Sequence, residues 1–272
     1  MKIILSRIFL LAIVLCIPQL VFSQASGGAI RRPVKKPPTS APAKPSRPSN
    51  TSNGNSHRPS ASASVSSEIF EANGVSFKMI RVDGLGSPFY IGETEVTQAL
   101  WEAVMGSNPS YFKGADRPVE QVSWDDCQTF INKLNAITKK KFRLPKEKEW
   151  EYAAKGGNKS HGYKYSGSNK INDVAWYNSN ACDGVGPSSP DYGTHNVKTK
   201  KANELGIYDM SGNVREWCED LYCLDLDFKR VNRGGYWSGY TGSGDVSAKY
   251  ADFPFDQSFN LGLRLALYIL YR

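Results

Sequence analysis

From Gly156 to Val197 the sequence is rich in Gly, Ser, Asn and Asp and follows neither a helical nor a strand period. A loop of that length inside one domain is uncommon. Packing of Trp176 and Tyr177, or a bound metal, would be needed to hold it. Regular pattern lies on either side. Val75-Ser-Phe-Lys-Met-Ile-Arg-Val82 alternates as a strand does, and Asp83-Gly84 opens a turn. Phe89-Tyr-Ile91 is a short apolar strand, and Val96 to Met105 reads as a helix ending before Gly106. Ser123 and Asp126 have the spacing of a capping box. Behind them Cys127, Phe130, Ile131, Leu134 and Ile137 recur at helical spacing, which predicts one amphipathic helix to about Thr138. Another helix is expected from about Lys146 to Lys155, stopped by Gly156-Gly157. Short strands are expected near Ile207-Tyr208, Val231–Arg233 and Leu263–Leu267. Two main helices amid short strands and long loops make an α+β domain.

The N-terminal quarter reads differently. Lys2 and Arg7 precede an apolar run, Ile8 to Val21, too short to span a bilayer, and Val21-Phe22-Ser23 supplies a cleavage site. Residues 1–23 are therefore expected to be a signal peptide; Leu15 is too large for a lipoprotein cut before Cys16. Residues 24–67 carry Pro, Ser, Lys and Arg with few large apolar side chains, so nothing there offsets the entropy of ordering. They are expected to form a disordered tether to a domain at 68–272. No later segment reaches the roughly 18 apolar residues of a transmembrane helix. The expected location is outside the cytoplasm: periplasmic, cell-surface or secreted.

Charge narrows the partners. The chain is +8 overall, but nine of its 34 Lys and Arg fall in the first 67 residues, leaving 25 against 26 acids beyond. The folded part is not a basic nucleic-acid-binding domain. Four cysteines follow the signal: Cys127, Cys182, Cys218 and Cys223. They permit two disulfides in three connectivities. Cys127, on the apolar helix face, also fits a buried free thiol, and Cys218 and Cys223 fit either a local disulfide or two unpaired thiols.

Several segments carry a resemblance. Gly206-Ile-Tyr-Asp-Met-Ser-Gly-Asn-Val-Arg-Glu-Trp217, Arg233-Gly-Gly-Tyr-Trp237 and Asn260-Leu-Gly-Leu-Arg264 resemble the signature of the formylglycine-generating enzyme (sulfatase-modifying factor) family. So do Gly92-Glu-Thr-Glu-Val-Thr97, Pro118-Val-Glu-Gln-Val-Ser-Trp124 and Arg143-Leu-Pro-Lys-Glu-Lys-Glu-Trp-Glu-Tyr-Ala-Ala154. The resemblance covers about residues 75–267 and implies a C-type-lectin-like fold with long loops. The family's enzymes bind copper(I) through two cysteines shortly after the Gly-Gly pair, a ligand choice that suits a soft ion. Here Gly239 matches the first, the second falls near Gly244, and no cysteine follows Cys223. Tyr236 stands in place of a serine and Arg215 in place of a tryptophan. The family's catalysis, and copper, are therefore not expected, and no catalytic residue is assigned.

The resemblance also implies a structural calcium at Asp209, Gly212, Val214 and Glu216. Two carboxylates and two carbonyls from a tight glycine turn are hard oxygen ligands. The alternative is that Asp209 caps the turn while Glu216 pairs with Arg215 or Lys229. A second family site would involve Asp173 and Val174. His195, in Gly193-Thr-His-Asn-Val197, has no second histidine or nucleophile in context and is read as a packing residue.

The last segment interleaves aromatics with small polar residues. Tyr236, Ser238, Gly239, Tyr240, Tyr250, Asp252, Phe253, Phe255 and Phe259 have the composition of an adaptable binding surface, in which rings give rigid contact and small polar groups give hydrogen bonds. Trp237 and one or two other rings are equally core. The segment also resembles the variable region of proteins diversified by retroelements, in which template asparagine codons yield Tyr, Ser, Gly, Asp, Phe and Leu. Trp237, Lys249 and Gln257 would then be fixed. The expectation is an exported, non-catalytic module binding a protein or glycan. The alternatives are an oxidase generating formylglycine on sulfatases and a structural subunit of a secretion or surface assembly in the cell envelope.

Overall fold

The computed structural model describes residues 66–183, 185–222 and 228–269. The expected signal peptide, nearly all of the expected tether, and Cys223 lie outside the described residues.

Strand β1 (Ser67–Ala72) begins at the last residue of the expected tether and pairs antiparallel with β2 (Val75–Val82), which pairs with β3 (Phe89–Gly92). Near the C-terminus β9 (Ala266–Tyr268) lies between β3 and the two-residue β4 (Phe142–Arg143), completing a five-stranded sheet in the order β1-β2-β3-β9-β4. Side chains alternate across the strands. Phe89 and Ile91 enter one core with Trp150, Ala153 and Ala154, whereas Tyr90 enters the other with Leu100, Phe130 and Leu134. Both faces of this strand are covered, which is why Phe-Tyr-Ile reads as a continuous apolar run.

Among the described residues three helices of eight or more residues pack on these cores, one at each place where spacing predicts a helix. In α1 (Gln98–Met105) the Thr97 hydroxyl accepts from the Leu100 N–H, and Gly106 closes the helix at φ 84°. In α2 (Trp124–Thr138) the Ser123 hydroxyl accepts from Asp126 N–H at 3.0 Å, and the Asp126 carboxylate accepts from Ser123 N–H at 3.0 Å. Trp101 stacks on Phe130 across the two helices, centroids 4.8 Å apart. Cys127, Phe130, Ile131 and Leu134 are buried, but Ile137 is exposed because the last turn of α2 outruns the core. α3 (Glu147–Ala154) buries Trp150, Ala153 and Ala154.

The second sheet runs β7-β6-β5-β8, from β5 (Arg215–Leu221), β6 (Arg230–Arg233), β7 (Lys249–Asp252) and β8 (Leu261–Leu263). The expected strand over Leu263–Leu267 is thus two strands in two sheets. No strand forms at Ile207-Tyr208: the Asn203 carbonyl side chain takes the N–H groups of Leu205 and Ile207, shaping a turn instead.

The long aperiodic loop is held by packing. Tyr165, Ile171, Val174, Ala175 and Tyr177 form a small core of their own around two four-residue helices, α4 (Ile171–Val174) and α5 (Asn178–Ala181). Its backbone is stitched to the second sheet's loops, Asn213 N–H to Trp176 C=O at 2.8 Å and Asn178 N–H to Gly239 C=O at 2.9 Å. Cys127 and Cys218 are buried free thiols and Cys182 is a partly buried one. Among the described residues no helix is long and apolar enough to cross a membrane.

Candidate binding face and the polar centre beneath it

Strands β5, β6 and β7 place Arg215, Asn232 and Asp252 side by side. Arg215 Nη1 lies 2.6 Å from Asp252 Oδ2 and 3.1 Å from Asn232 Oδ1, and its Nη2 donates to Asn260 Oδ1 at 3.0 Å. Asn232 Nδ2 closes the network on Asp252 at 2.8 Å. The rings of Tyr236 and Tyr250 flank the guanidinium, centroids 5.5 and 5.7 Å from its carbon. Tyr250 donates to the Ser243 carbonyl, and burial, followed by the neighbouring Tyr236, raises its pKa. Three of the sequence-predicted residues, Tyr236, Tyr250 and Asp252, therefore converge on Arg215, which the sequence marks only as a departure from tryptophan.

The other predicted residues separate into three groups. Ser238, Gly239 and Tyr240 make a turn in which Gly239 N–H bonds Tyr236 C=O and the Ser243 hydroxyl bonds Tyr240 C=O, leaving Tyr240 78% exposed. Phe253 and Phe255 stack face to face at 5.4 Å on a loop that Gln257 ties to Asp126 at the start of α2. Phe259 packs on Trp237, whose indole N–H donates to the Phe259 carbonyl at 3.1 Å. Trp237 itself is core. Its ring contacts Phe112 at 5.1 Å and Tyr192 at 5.0 Å, and Phe112 meets the exposed Tyr111 at 4.9 Å. This aromatic chain joins loops about 80 residues apart in sequence. Composition of the last segment alone gave no signal for Tyr111, Phe112 or Tyr192.

Gly239 is the position matching the first copper-binding cysteine of the enzymes. A β-carbon built there would meet the Ser243 hydroxyl, which would have to turn aside, so as it stands the turn packs that hydroxyl against Gly239.

Beneath this face is a buried polar centre. Arg264 spans Glu216, with Nε–O distances of 3.1 and 2.9 Å and Nη2–Oε1 of 2.7 Å, and also donates to the carbonyls of Gly92 and Tyr208. Trp150 Nε1 donates to Glu216 Oε2 at 2.5 Å. Glu216 thus pairs with Arg264, not with Arg215 or Lys229. Glu95 accepts from Val214 N–H at 3.1 Å and from Asn213 Nδ2 at 2.8 Å, and Asp209 accepts from Lys198 N–H at 2.8 Å. Burial, then Asp209 and Glu216, raise the Glu95 pKa far above the carboxylate range. Burial raises Asp209 to about 6.

Of the four residues expected to hold calcium, Asp209, Gly212 and Val214 lie in the turn ahead of β5 and Glu216 lies within β5. Gly212 sits at φ 85° with the Trp176 carbonyl where a β-carbon would be. Three buried carboxylates face one guanidinium, so the centre is short of positive charge, which favours a cation. Both Glu216 oxygens, however, are already bonded, and no group of three or more His, Cys, Asp or Glu among the described residues is arranged to hold a metal. His195 packs as expected: it stacks on Trp176 at 3.6 Å, its N–H bonds Asn213, and Nδ1 lies 3.1 Å from Gly193 C=O. Burial, followed by the charge of Arg117, lowers its pKa to about 4, so the ring is neutral near pH 7.

Comparison with known proteins agrees with this architecture. The family model of the sulfatase-modifying factor enzyme 1-like domain matches residues 71–269. Chaperone protein LppX of Paenibacillus barcinonensis is 39% identical over 207 residues, 59% of this chain and 73% of that protein. The inactive C-alpha-formylglycine-generating enzyme 2 of Bos taurus is 31% identical over 63% of this chain, which spans only 57% of the bovine protein. Among solved structures, Treponema denticola variable protein 1 superposes with a TM-score of 0.63 at 30% identity, covering 75% of this chain and 99% of that one. The chain belongs to the sulfatase-modifying factor family, that of the formylglycine-generating enzymes, and has its C-type-lectin-like α+β fold.

Proposed function

We propose that this protein is an exported, non-catalytic ligand-binding member of its family, holding a protein or glycan on the face built around Arg215. The observation that carries this reading is the pairing of two features at one place. The segment that supplies thiolates in the enzymes is a turn through Gly239 without cysteine here, and beside it Tyr236, Tyr250 and Asp252 converge on a half-buried guanidinium. Rings around a fixed cation give directional contact at low entropy cost. The similarity to a variable protein and to an inactive enzyme relative supports the same reading.

Panning a peptide library and a glycan array against the purified chain, in parallel with Arg215→Met, tests it. A ligand retained by the parent and lost by the variant, at a temperature where both are folded, is the expected result. Aldehyde formation on a sulfatase-motif peptide in the presence of copper would overturn it in favour of the oxidase. Diversification is a separate part of the proposal. Sequencing codons 230–264 across a cell population would show variation confined to Tyr236, Ser238, Gly239, Tyr240, Tyr250 and similar positions, or a uniform sequence that excludes it. A chaperone role, as the name of the Paenibacillus relative indicates for that protein, would use the same face for a polypeptide client. Calcium remains part of the proposal, at Asp209 and the Gly212–Val214 turn, with Glu216 supplying charge from its pair with Arg264.

A further inference from the structure

We infer that the end of the five-stranded sheet bearing β9 is a second binding site, for an anionic glycan chain. Two cavities of about 540 and 350 Å³ adjoin there and share Tyr268 and Ile269. Lys146 and Lys148 line the larger one, and Lys139, Lys140 and Lys141 line the smaller. All five are exposed. None forms an ion pair with a described residue; Lys140 lies over the Phe70 ring at 5.5 Å. Of the acids lining the cavities, Glu149 is neutralised by a bidentate Arg143 at 2.6 and 2.8 Å, leaving Glu68. A concentration of unmatched lysines is thus built onto a folded region in which acids slightly outnumber bases, and such a field selects a polyanion. The sequence ahead of β1 has the same sign, since residues 24–65 contain no acid.

Shape chooses among polyanions. A lipid surface or a flat duplex meets protruding side chains, whereas these lysines rim concave cavities divided by a ring. Tyr268 carries Arg143 at 3.9 Å and is still 47% exposed, with Leu267 and Tyr90 deeper in the smaller cavity. An acidic sugar chain matches this alternation. Its carboxylates or phosphates reach the lysines on either side while an apolar ring face lies on Tyr268. The site does not depend on the Arg215 face, and either can fail without the other.

The test is binding of the purified full chain to oligogalacturonate, a phosphomannan, neutral dextran and phosphatidylglycerol vesicles, at 50 and 200 mM salt. One variant carries Lys141→Gln, Lys146→Gln and Lys148→Gln; a charge-matched control carries Lys133→Gln, Lys159→Gln and Lys170→Gln, all exposed elsewhere. The expected result is salt-sensitive binding to one or both anionic chains, none to dextran, and a loss of about tenfold or more in the first variant against less than about twofold in the control. Preference between the two chains identifies carboxylate or phosphate as the recognised group. Equal losses in both variants, no binding to either anionic chain at 50 mM salt, or tighter binding to vesicles than to the chains would each overturn the inference.

Discussion

Arg215 and Asp252 meet at 2.6 Å across a strand that belongs to neither, with Asn232 of the intervening β6 bonded to both. The pair is partly shielded, at 13% and 28% side-chain exposure, so its attraction is stronger than that of a surface ion pair. It also fixes β7, an edge strand, onto the sheet.

Arg215→Met should therefore leave Asp252 with one neutral partner and remove the cation between Tyr236 and Tyr250. The expected cost is roughly 1–3 kcal/mol in chemical denaturation, and a cycle with Asp252→Asn should show roughly 1–2 kcal/mol of coupling. Coupling near zero would mean that the two side chains act independently.

The deeper pair predicts a larger effect. Neither Arg264 nor Glu216 has exposed side-chain surface, and Arg264 also serves the Gly92 and Tyr208 carbonyls from two different parts of the chain. Arg264→Met strands an unmatched carboxylate and should cost about 3–5 kcal/mol. Glu216→Gln, which retains the bond from Trp150, should cost less. Equilibrium unfolding of the two variants compares them directly.

These contrasts explain what was legible in the sequence. The Ser123–Asp126 capping box, the apolar face of α2 and the Gly106 and Gly156 stops are set by residues within a few positions of one another, and the structure has them where spacing placed them. Strand β5 was not legible. Its Arg215 and Glu216 take their partners from β6, β7 and Arg264, so a segment with charges in its interior reads as a turn. Strand β7, Lys-Tyr-Ala-Asp, is a half-exposed edge whose alternation is weak. The candidate face was half legible, because its tyrosines and Asp252 are concentrated in one segment. The rings of Tyr111, Phe112 and Tyr192 reach it through Trp237, a contact no local pattern encodes.

Glu120 supplies a pH dependence. It is fully buried; one oxygen accepts from Phe112 N–H at 2.8 Å and the other has no partner. Burial raises its pKa to about 7, against the opposing pull of the Phe112 and Tyr111 N–H groups. The folded state thus holds this proton more tightly than the unfolded chain. Its contribution to stability is lost as pH rises from the ordinary glutamate range through about 7. Glu120→Gln should be more stable than the parent by roughly 1–3 kcal/mol at pH 8 and indistinguishable near pH 5. An advantage of the same size at both pH values would assign the effect to packing.

Calcium and the proton on Glu95 are alternative answers to one electrostatic problem, the three buried carboxylates around Arg264. If calcium occupies the Asp209 turn, it binds only the folded state, and adding it to chelator-treated protein should raise the melting temperature with a concentration dependence set by its affinity. Asp209→Asn should abolish that rise while leaving the Glu216–Arg264 pair in place. At pH 5, near or below the raised pKa of Asp209, the calcium effect should shrink, because the ion must then displace a proton. If calcium leaves the melting temperature unchanged at pH 7.5, charge balance rests on protonated Glu95. In that case Glu95→Gln, which can still accept from Val214 N–H through its amide oxygen, should be tolerated with little loss of stability.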